Sequence, residues 1–191
     1  VGPMAVPGTY QLRLKAGGQV LTTDLKLVSA PNQAFSNEEL GAQLGFALQV
    51  RNTITDLTKT GHLLQSIQSQ LKERNRLLAE NEQAKGLIEA SNRLIPRLDD
   101  LEARIHNPNA QITYDVLAMK GGAQLYSRLA PLLLWINQGD TPPTQGAREV
   151  FESQAAELDK YKNEIGEVID SDLRKLNEEA DRLNLPVIYI Q

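Results

Sequence analysis

The sequence contains no cysteine, and this absence excludes several kinds of chemistry at once. Disulfide bonds, thiolate nucleophiles and zinc sites with cysteine ligands are all ruled out. Only two histidines occur, His62 and His106. Long apolar runs are also missing, since the apolar stretch from Leu129 to Ile136 is far shorter than the ~20 residues that span a bilayer. We therefore expect no membrane insertion.

The charge balance argues against a nucleic-acid-binding protein. Aspartate and glutamate outnumber lysine and arginine by 24 to 20, which gives a net charge of −4. Nucleic-acid-binding domains instead neutralise phosphates with clustered lysine and arginine. The charged fraction of 23% and the apolar fraction of 41% are those of an ordinary globular protein. The 191 residues can hold one full domain and part of another.

Two β-strands and a tight turn are predicted at the start of the chain. Tyr10, Leu12 and Leu14 alternate with polar residues, as in a strand with one buried face. The pair Gly17-Gly18 supplies the positive φ angles that a hairpin turn needs. Leucines return to one face of the second strand, at positions Leu21, Leu25 and Leu27.

A two-stranded hairpin is marginal in water, because so few apolar side chains cannot offset the entropy of ordering its backbone. The hairpin therefore needs a further surface. Either it packs on the helices that follow, or it belongs to a β-sandwich whose other strands lie upstream of Val1. We favour the second alternative. It divides the chain into the end of a truncated β-sandwich at 1–31 and a helical domain at 32–191.

From Ser36 onward the sequence predicts helices. Ser36 and Glu39 have the spacing of a capping box, which marks the start of a helix. Apolar residues then recur every three or four positions for about forty residues. This pattern predicts one amphipathic helix with a length of roughly 60 Å. Gly61 is a potential interruption. The predicted apolar seam is Leu40, Leu44, Ala47, Ile54, Leu57, Gly61, Leu64, Leu71 and Leu78.

Three further helical segments follow. Pro96 lies inside the second and Pro131 inside the third, and each proline predicts a kink. Thr144 is predicted to cap a fourth segment of about forty residues. The seams are Leu87, Ser91, Leu94, Leu98, Leu101 and Ile105 in the second segment, Leu125, Leu129, Leu132 and Ile136 in the third, and Ala147, Phe151, Leu158, Ile165, Leu176, Ala180 and Leu183 in the fourth.

The fold class predicted from these elements is mainly α: an antiparallel four-helix bundle with long helices, preceded by the hairpin. The two middle segments placed end to end would match either long one, so a three-rod bundle with a broken central rod is the alternative. The stretch from Asn109 to Met119 has no sustained period and predicts a crossing loop or a short helical turn. The segment Pro186 to Ile190 predicts a short strand or an extended tail.

A search for catalytic, cofactor-binding and metal-binding residues selects none. Neither histidine has the helical spacing to a second ligand that metal sites use, so a structural role is expected for both. Gly121-Gly122 precedes a helix but lacks the strand and lysine of a phosphate-binding loop. The carboxylate clusters have basic neighbours and predict solvated, ion-paired faces; they are Asp99, Asp100 and Glu102; Asp170 and Asp172; and Glu178, Glu179 and Asp181. Four aromatic residues are predicted to be core: Tyr126, Trp135, Phe151 and Tyr161.

Several stretches of the chain resemble one protein family. They are PGTYQLRLKAGGQ, NEELGAQLGFALQVRN, DDLEARIHNP, TPPTQGAREVFESQAAELDK and DLRKLNEEADRLNLPVI. They are similar to the C-terminal region of large bacterial exported proteins with sortilin-like, BNR-repeat β-propellers, which are often labelled glycosyl hydrolases. The chain departs from that family at ITYDVLAMKGG, where related sequences tend to have a loop resembling Asp-Pro-Leu-Asn-Tyr-Pro.

The resemblance implies an upstream propeller, then a small immunoglobulin-like β-domain that ends in the hairpin, then the helices. It also implies export to the periplasm or the extracellular space. Hydrolase chemistry would belong to the propeller, so the resemblance carries no catalytic residue over to this chain.

Three functional hypotheses follow from the sequence. The first is a non-catalytic C-terminal module whose partners are the upstream domains of the same polypeptide. The second is a self-associating or adaptor bundle that binds itself or another protein. The third is a small enzyme with an unfamiliar site. No cofactor is expected.

Overall fold

The mainly helical fold class is confirmed by the computed structural model, which describes residues 2–29, 31, 34–108, 122–139 and 141–190. The stretch from Asn109 to Met119 lies outside the described residues. The elements are β1 (Gly8–Ala16), β2 (Gln19–Leu27), α1 (Asn37–Leu77), α2 (Lys85–Ile105), α3 (Leu125–Gln138), α4 (Gln145–Val168) and α5 (Arg174–Arg182). A turn of 3-10 helix, Glu82–Ala84, precedes α2, and a π-helical turn, Ile169–Leu173, joins α4 to α5.

The predicted hairpin is present, with the predicted turn. Strands β1 and β2 pair in antiparallel register, with Tyr10 opposite Leu25 and Leu14 opposite Leu21. Gly17 and Gly18 have φ angles of 55° and 77°, which a residue with a Cβ adopts only with strain. The glycine pair therefore sets the register of the hairpin.

Helix α1 begins at the predicted cap and continues without a break. The Glu39 amide donates to Ser36 Oγ at 3.2 Å, and the Ser36 amide donates to Glu39 Oε2 at 2.8 Å. Gly61 does not interrupt the helix. It is buried against α2, where an added Cβ would make only an ordinary van der Waals contact, 3.9 Å from Ile105 Cγ2.

Helices α2 and α3 lie one after the other along α1 and run antiparallel to it. Near the end of α1, Arg74 donates to Ser91 of α2. Near its start, the Gln43 side chain donates to the Ile136 carbonyl of α3. The 21 residues of α2 and the 14 of α3 together approach the 41 of α1 in length. Both helices continue past their prolines, Pro96 and Pro131.

The third rod consists of α4, the π turn and α5, and it packs along both halves of the broken rod. Its start contacts α1 through the rings of Phe46 and Phe151, whose centroids are 5.4 Å apart. Farther along, Glu157 contacts α3 and Asp172 contacts α2. This packing corresponds to the three-rod alternative and not to the expected four-helix bundle. The reason is that α2 and α3 are each too short to pair with the whole length of α1.

The π turn keeps the apolar seam of the third rod on one face. Val168 and Leu173 are both buried although they are five residues apart. In an α-helix that spacing would turn Leu173 away from the core, but a π turn accommodates one extra residue. The predicted seam skips from Ile165 to Leu176 and therefore contains no signal of this turn.

The C-terminal segment is an extended tail that folds back along the bundle. Asn184 adopts a φ of 55°, and the Leu185 amide donates to the Ala180 carbonyl at 2.8 Å. This left-handed residue ends α5 and reverses the chain. Of the two alternatives for Pro186 to Ile190, the structure shows the extended tail, because these residues form no strand.

Candidate interaction surface

The most prominent surface feature is the apolar face of the β-hairpin, which we call the hairpin face. Directly opposed residues of an antiparallel pair point to the same side of the sheet. The register thus places two opposed pairs, Tyr10 with Leu25 and Leu14 with Leu21, on one side together with Leu12. The opposite side carries mainly polar and charged residues: Thr9, Gln11, Arg13, Lys15, Val20, Thr22, Asp24 and Lys26.

The hairpin face is open to solvent. Leu14 and Leu21 are each 62% exposed, and Leu12 is 49% exposed. Within the described part of the chain, the only residues of β1 and β2 with intermediate burial are Tyr10 and Leu27, and all the others are exposed. Within these residues the hairpin face is thus not packed on the helices. Both strands also leave one edge without a neighbouring strand in the part of the chain described here.

The two histidines have different surroundings and share no contact partner among the described residues. His62 is exposed on α1. His106 Nε2 lies 2.8 Å from Glu102 Oε1, and the Gln65 side chain donates to the same oxygen at 2.8 Å. Burial alone would raise the pKa of Glu102, but the hydrogen bonds from Gln65 and His106 lower it. This group links the end of α2 to α1.

The carboxylates that the sequence grouped together point to different partners. Asp99 lies 3.6 Å from Lys72, whereas Asp100 pairs with Arg104 at 2.7 Å. Asp172 contacts Arg97, and Glu179 pairs with Arg182 within its own helix. Among the residues the structure describes, no three His, Asp or Glu side chains converge as metal ligands would. Of the Gly121-Gly122 pair only Gly122 is described, with a φ of 72°.

Two of the four aromatic residues predicted to be core are exposed. Trp135 is 65% exposed and Tyr126 is 44% exposed, whereas Phe151 and Tyr161 pack partly buried against the core. The seam of α3 runs through Leu132 and Ile136, which leaves Trp135 on the outer side of the helix. The exposure of Trp135 matters for function, since tryptophan is common at binding surfaces.

An open groove of about 420 Å³ lies between α2 and α5. Its floor includes Leu94 and Leu176, and its rim carries charges of both signs. Arg97 is already paired with Asp172 across the groove. Because charges of both signs meet on its rim, the groove resembles a solvated helix interface more than a binding pocket for a charged ligand.

A charged network joins the broken central rod to the third rod. Arg128 of α3 donates to both oxygens of Glu157 at 2.9 and 2.7 Å, and the Tyr161 hydroxyl donates to Glu157 Oε1 at 2.6 Å. Arg104 of α2 lies over the Tyr161 ring, 5.4 Å from its centre. The bonds from Arg128 lower the pKa of Glu157, partial burial opposes them, and the bond from Tyr161 lowers the pKa further. The network holds α2 and α3 on α4 where the rod is broken.

Acidification is expected to weaken this network. The folded pKa of Glu157 lies below its ordinary value of 4.5, so the pair stabilises the fold above about that pH. This contribution is lost as the pH falls through the folded pKa. We expect the Glu157→Gln variant to lose about 1–3 kcal/mol of unfolding free energy at pH 7, the value of a hydrogen-bonded charge, and a smaller part at low pH. Denaturant titrations between pH 7 and pH 3 measure the difference.

The control is Glu152→Gln, which changes an exposed carboxylate of the same helix. We expect its unfolding free energy to follow the wild-type pH curve. Equal curves for both variants would contradict a stabilising role for the Glu157 network.

Comparison with known proteins gives no relative: no protein-family model, no curated protein and no solved structure matches the chain. In the portion of the chain that is described, no helix is both long and apolar enough to cross a bilayer.

Sequence reasoning found the hairpin face but missed a second set of residues. Gln70, Asn177 and Arg74 hold the C-terminal tail through its main chain. Polar positions on helices usually indicate exposure to solvent. Only Arg74 gave a weak sequence signal of burial, because it lies three residues after the seam residue Leu71. The tail itself was recognised as apolar and extended.

Proposed function

We propose that this chain is a non-catalytic structural and interaction module at the C-terminal end of a larger exported protein. Its hairpin would complete an immunoglobulin-like β-domain in the same polypeptide, and its helices would follow that domain. The parent would be a BNR-repeat, sortilin-like propeller protein, as the sequence resemblance implies. The observation that carries the proposal is the uncovered hairpin face.

Covering the hairpin face would be strongly favourable. Each fully buried leucine contributes about 1.5–3 kcal/mol relative to the exposed state, and Leu12, Leu14 and Leu21 are about half exposed or more. A second sheet packed on this side would bury them as the inner face of a sandwich. The charged residues on the opposite side, such as Arg13 and Lys15, would then form its solvated outer face.

Single cysteines can test this arrangement, because the natural chain has none. Leu12→Cys and Leu21→Cys place a thiol on the hairpin face, and Arg13→Cys and Thr22→Cys place one on the opposite side. The four variants are compared in this chain alone and in a polypeptide extended through the preceding β-domain. We expect the rate of maleimide modification to fall at least tenfold in the longer polypeptide at positions 12 and 21 only. Unchanged rates at those two positions would refute the proposal.

Removal of residues 1–31 provides a second measurement. Because the hairpin contributes little to the helical core, we expect the melting temperature to change by no more than about 2–4 °C, the effect of roughly 1 kcal/mol in a chain of this size. A much larger drop would show that the hairpin belongs to the helical domain, and the division at residue 31 would be wrong.

An adaptor bundle is the second candidate, and the exposed side chains of Trp135 and Leu134 favour it. Exposed neighbouring apolar residues on a helix are a common feature of protein interfaces. Trp135 is the only tryptophan of the chain, so its fluorescence reports on this surface directly. A blue shift of its emission with rising protein concentration, together with dimers in sedimentation, would support self-association over the first candidate.

A further inference from the structure

The C-terminal tail lies in a channel between α1 and α5 and is held by its main chain. Asn177 of α5 donates to the Ile188 carbonyl and accepts from the Ile188 amide, both at 2.8 Å. Gln70 of α1 makes the same pair of bonds to Tyr189, also at 2.8 Å. Two side-chain amides thus satisfy two consecutive peptide units, as a neighbouring β-strand would.

One side chain of the tail provides most of its anchoring. Ile188 is 4% exposed and belongs to the hydrophobic core, whereas Tyr189 and Ile190 are exposed. Val187 and Leu185 are partly buried beside it. Main-chain bonds combined with a pocket for one side chain are the pattern by which proteins recognise extended peptides.

Arg74 forms the inner wall of the channel and is incompletely satisfied by the tail. Its side chain is buried, with one nitrogen 2.9 Å from Ser91 Oγ and another 3.3 Å from the Pro186 carbonyl. Its Nε has no hydrogen-bond partner among the residues that the structure describes, and burial lowers the pKa of the guanidinium. A buried donor without an acceptor destabilises the fold. The tail therefore fills the channel without matching all of its polar groups.

We propose that the channel between α1 and α5 is a binding site for an extended peptide of another polypeptide, with a β-branched apolar residue at the position of Ile188. The tail is the intramolecular occupant of this site. Tethering gives the tail a high effective concentration, so an external peptide binds strongly only when the tail is released. The site is separate from the hairpin face and does not depend on the function proposed above.

The test uses the full chain with Ile188→Asp, which removes the anchor of the tail and leaves the walls of the channel intact. The probe is a fluorescently labelled peptide with the sequence of residues 184–190. We expect it to bind this variant at least tenfold more tightly than the wild-type chain. The matched control is Ile190→Asp at an exposed position, which should bind the peptide as weakly as wild type. Circular dichroism establishes that each variant keeps its helices.

The mode of binding is tested by Gln70→Ala and Asn177→Ala in the Ile188→Asp chain. We expect each change to weaken peptide binding by about fivefold or more, the cost of a lost hydrogen-bond pair. Unchanged binding in both would show that the peptide binds elsewhere, and a helical Ile188→Asp chain that binds no peptide would refute the site.

Hydrogen exchange of the wild-type chain decides the question if Ile188→Asp fails to fold. Excess peptide should displace the tail and speed exchange of the Ile188 and Tyr189 amides, whose acceptors are Asn177 and Gln70. The Leu185 amide donates to the carbonyl of Ala180 in α5 and serves as the internal control. Unchanged exchange at Ile188 and Tyr189 in millimolar peptide would overturn the proposal.

Discussion

Deleting Ser171 is expected to leave the protein folded, whereas deleting Lys162 is expected to abolish its cooperative unfolding transition. Ser171 lies in the π turn, where Val168 and Leu173 are five residues apart and both buried. Removing one residue makes that spacing four, which a regular α-helix places on one face. We therefore expect the unfolding free energy to change by less than about 1 kcal/mol.

Lys162 is the matched deletion, because it also removes one partly or fully exposed residue from the same rod. It lies between Leu158 and Ile165 in regular helix, where a missing residue rotates the following seam by about 100°. The π turn could become α-helical and restore the orientation of Leu173. Ile165 and Val168 precede that turn, however, so they would still turn away from the core. Each displaced core residue costs about 2–5 kcal/mol, which is comparable with the whole stability of a small domain.

Thermal unfolding monitored by circular dichroism measures both deletions. A Ser171 deletion that unfolds as readily as the Lys162 deletion would contradict the interpretation of the π turn as an accommodated extra residue. It would instead assign the turn a structural role of its own.

The second large effect is expected for Leu64→Ala. Leu64 lies in the middle of α1 and has no exposed surface, at the level where α2 packs on α1. Truncation removes the burial free energy of its methyl groups and leaves a cavity that rigid neighbouring helices cannot close. We expect a loss of about 3–5 kcal/mol of unfolding free energy, measured by denaturant titration.

Two exposed leucines serve as controls. Leu77 at the end of the same helix is 64% exposed and Leu14 on the hairpin face is 62% exposed. We expect Leu77→Ala and Leu14→Ala each to change the unfolding free energy by no more than about 0.5 kcal/mol. A large loss for Leu14→Ala would show that the hairpin face is covered within this chain.

The regular seams show how much of the fold the sequence predicts. The six predicted seam residues of α2 and the four of α3 are the buried residues of those helices. The predicted caps at Ser36 and Thr144 are also present. Such features can be predicted because a cap or a seam is encoded by residues within four positions of each other.

The errors arise where a contact depends on how whole helices are arranged. The exposure of Trp135 follows from which side of α3 meets the other rods, and periodicity defines that side only to within one residue. The candidate site was partly predicted: the alternation of β1 and β2 identified the hairpin face, but only the packing showed that the helices leave it uncovered.

The sequence alone determined the helical class, the hairpin with its Gly17-Gly18 turn, and the apolar seams, since these result from local sterics, hydrogen bonds and side-chain period. Tertiary structure decided that α2 and α3 share one rod, that a π turn realigns the third, and that Gln70 and Asn177 hold the tail. Gln70 and Tyr189 are 119 positions apart, and polar pairs at that separation have no periodic pattern. They are brought together only when burial of the seams has already placed the helices side by side.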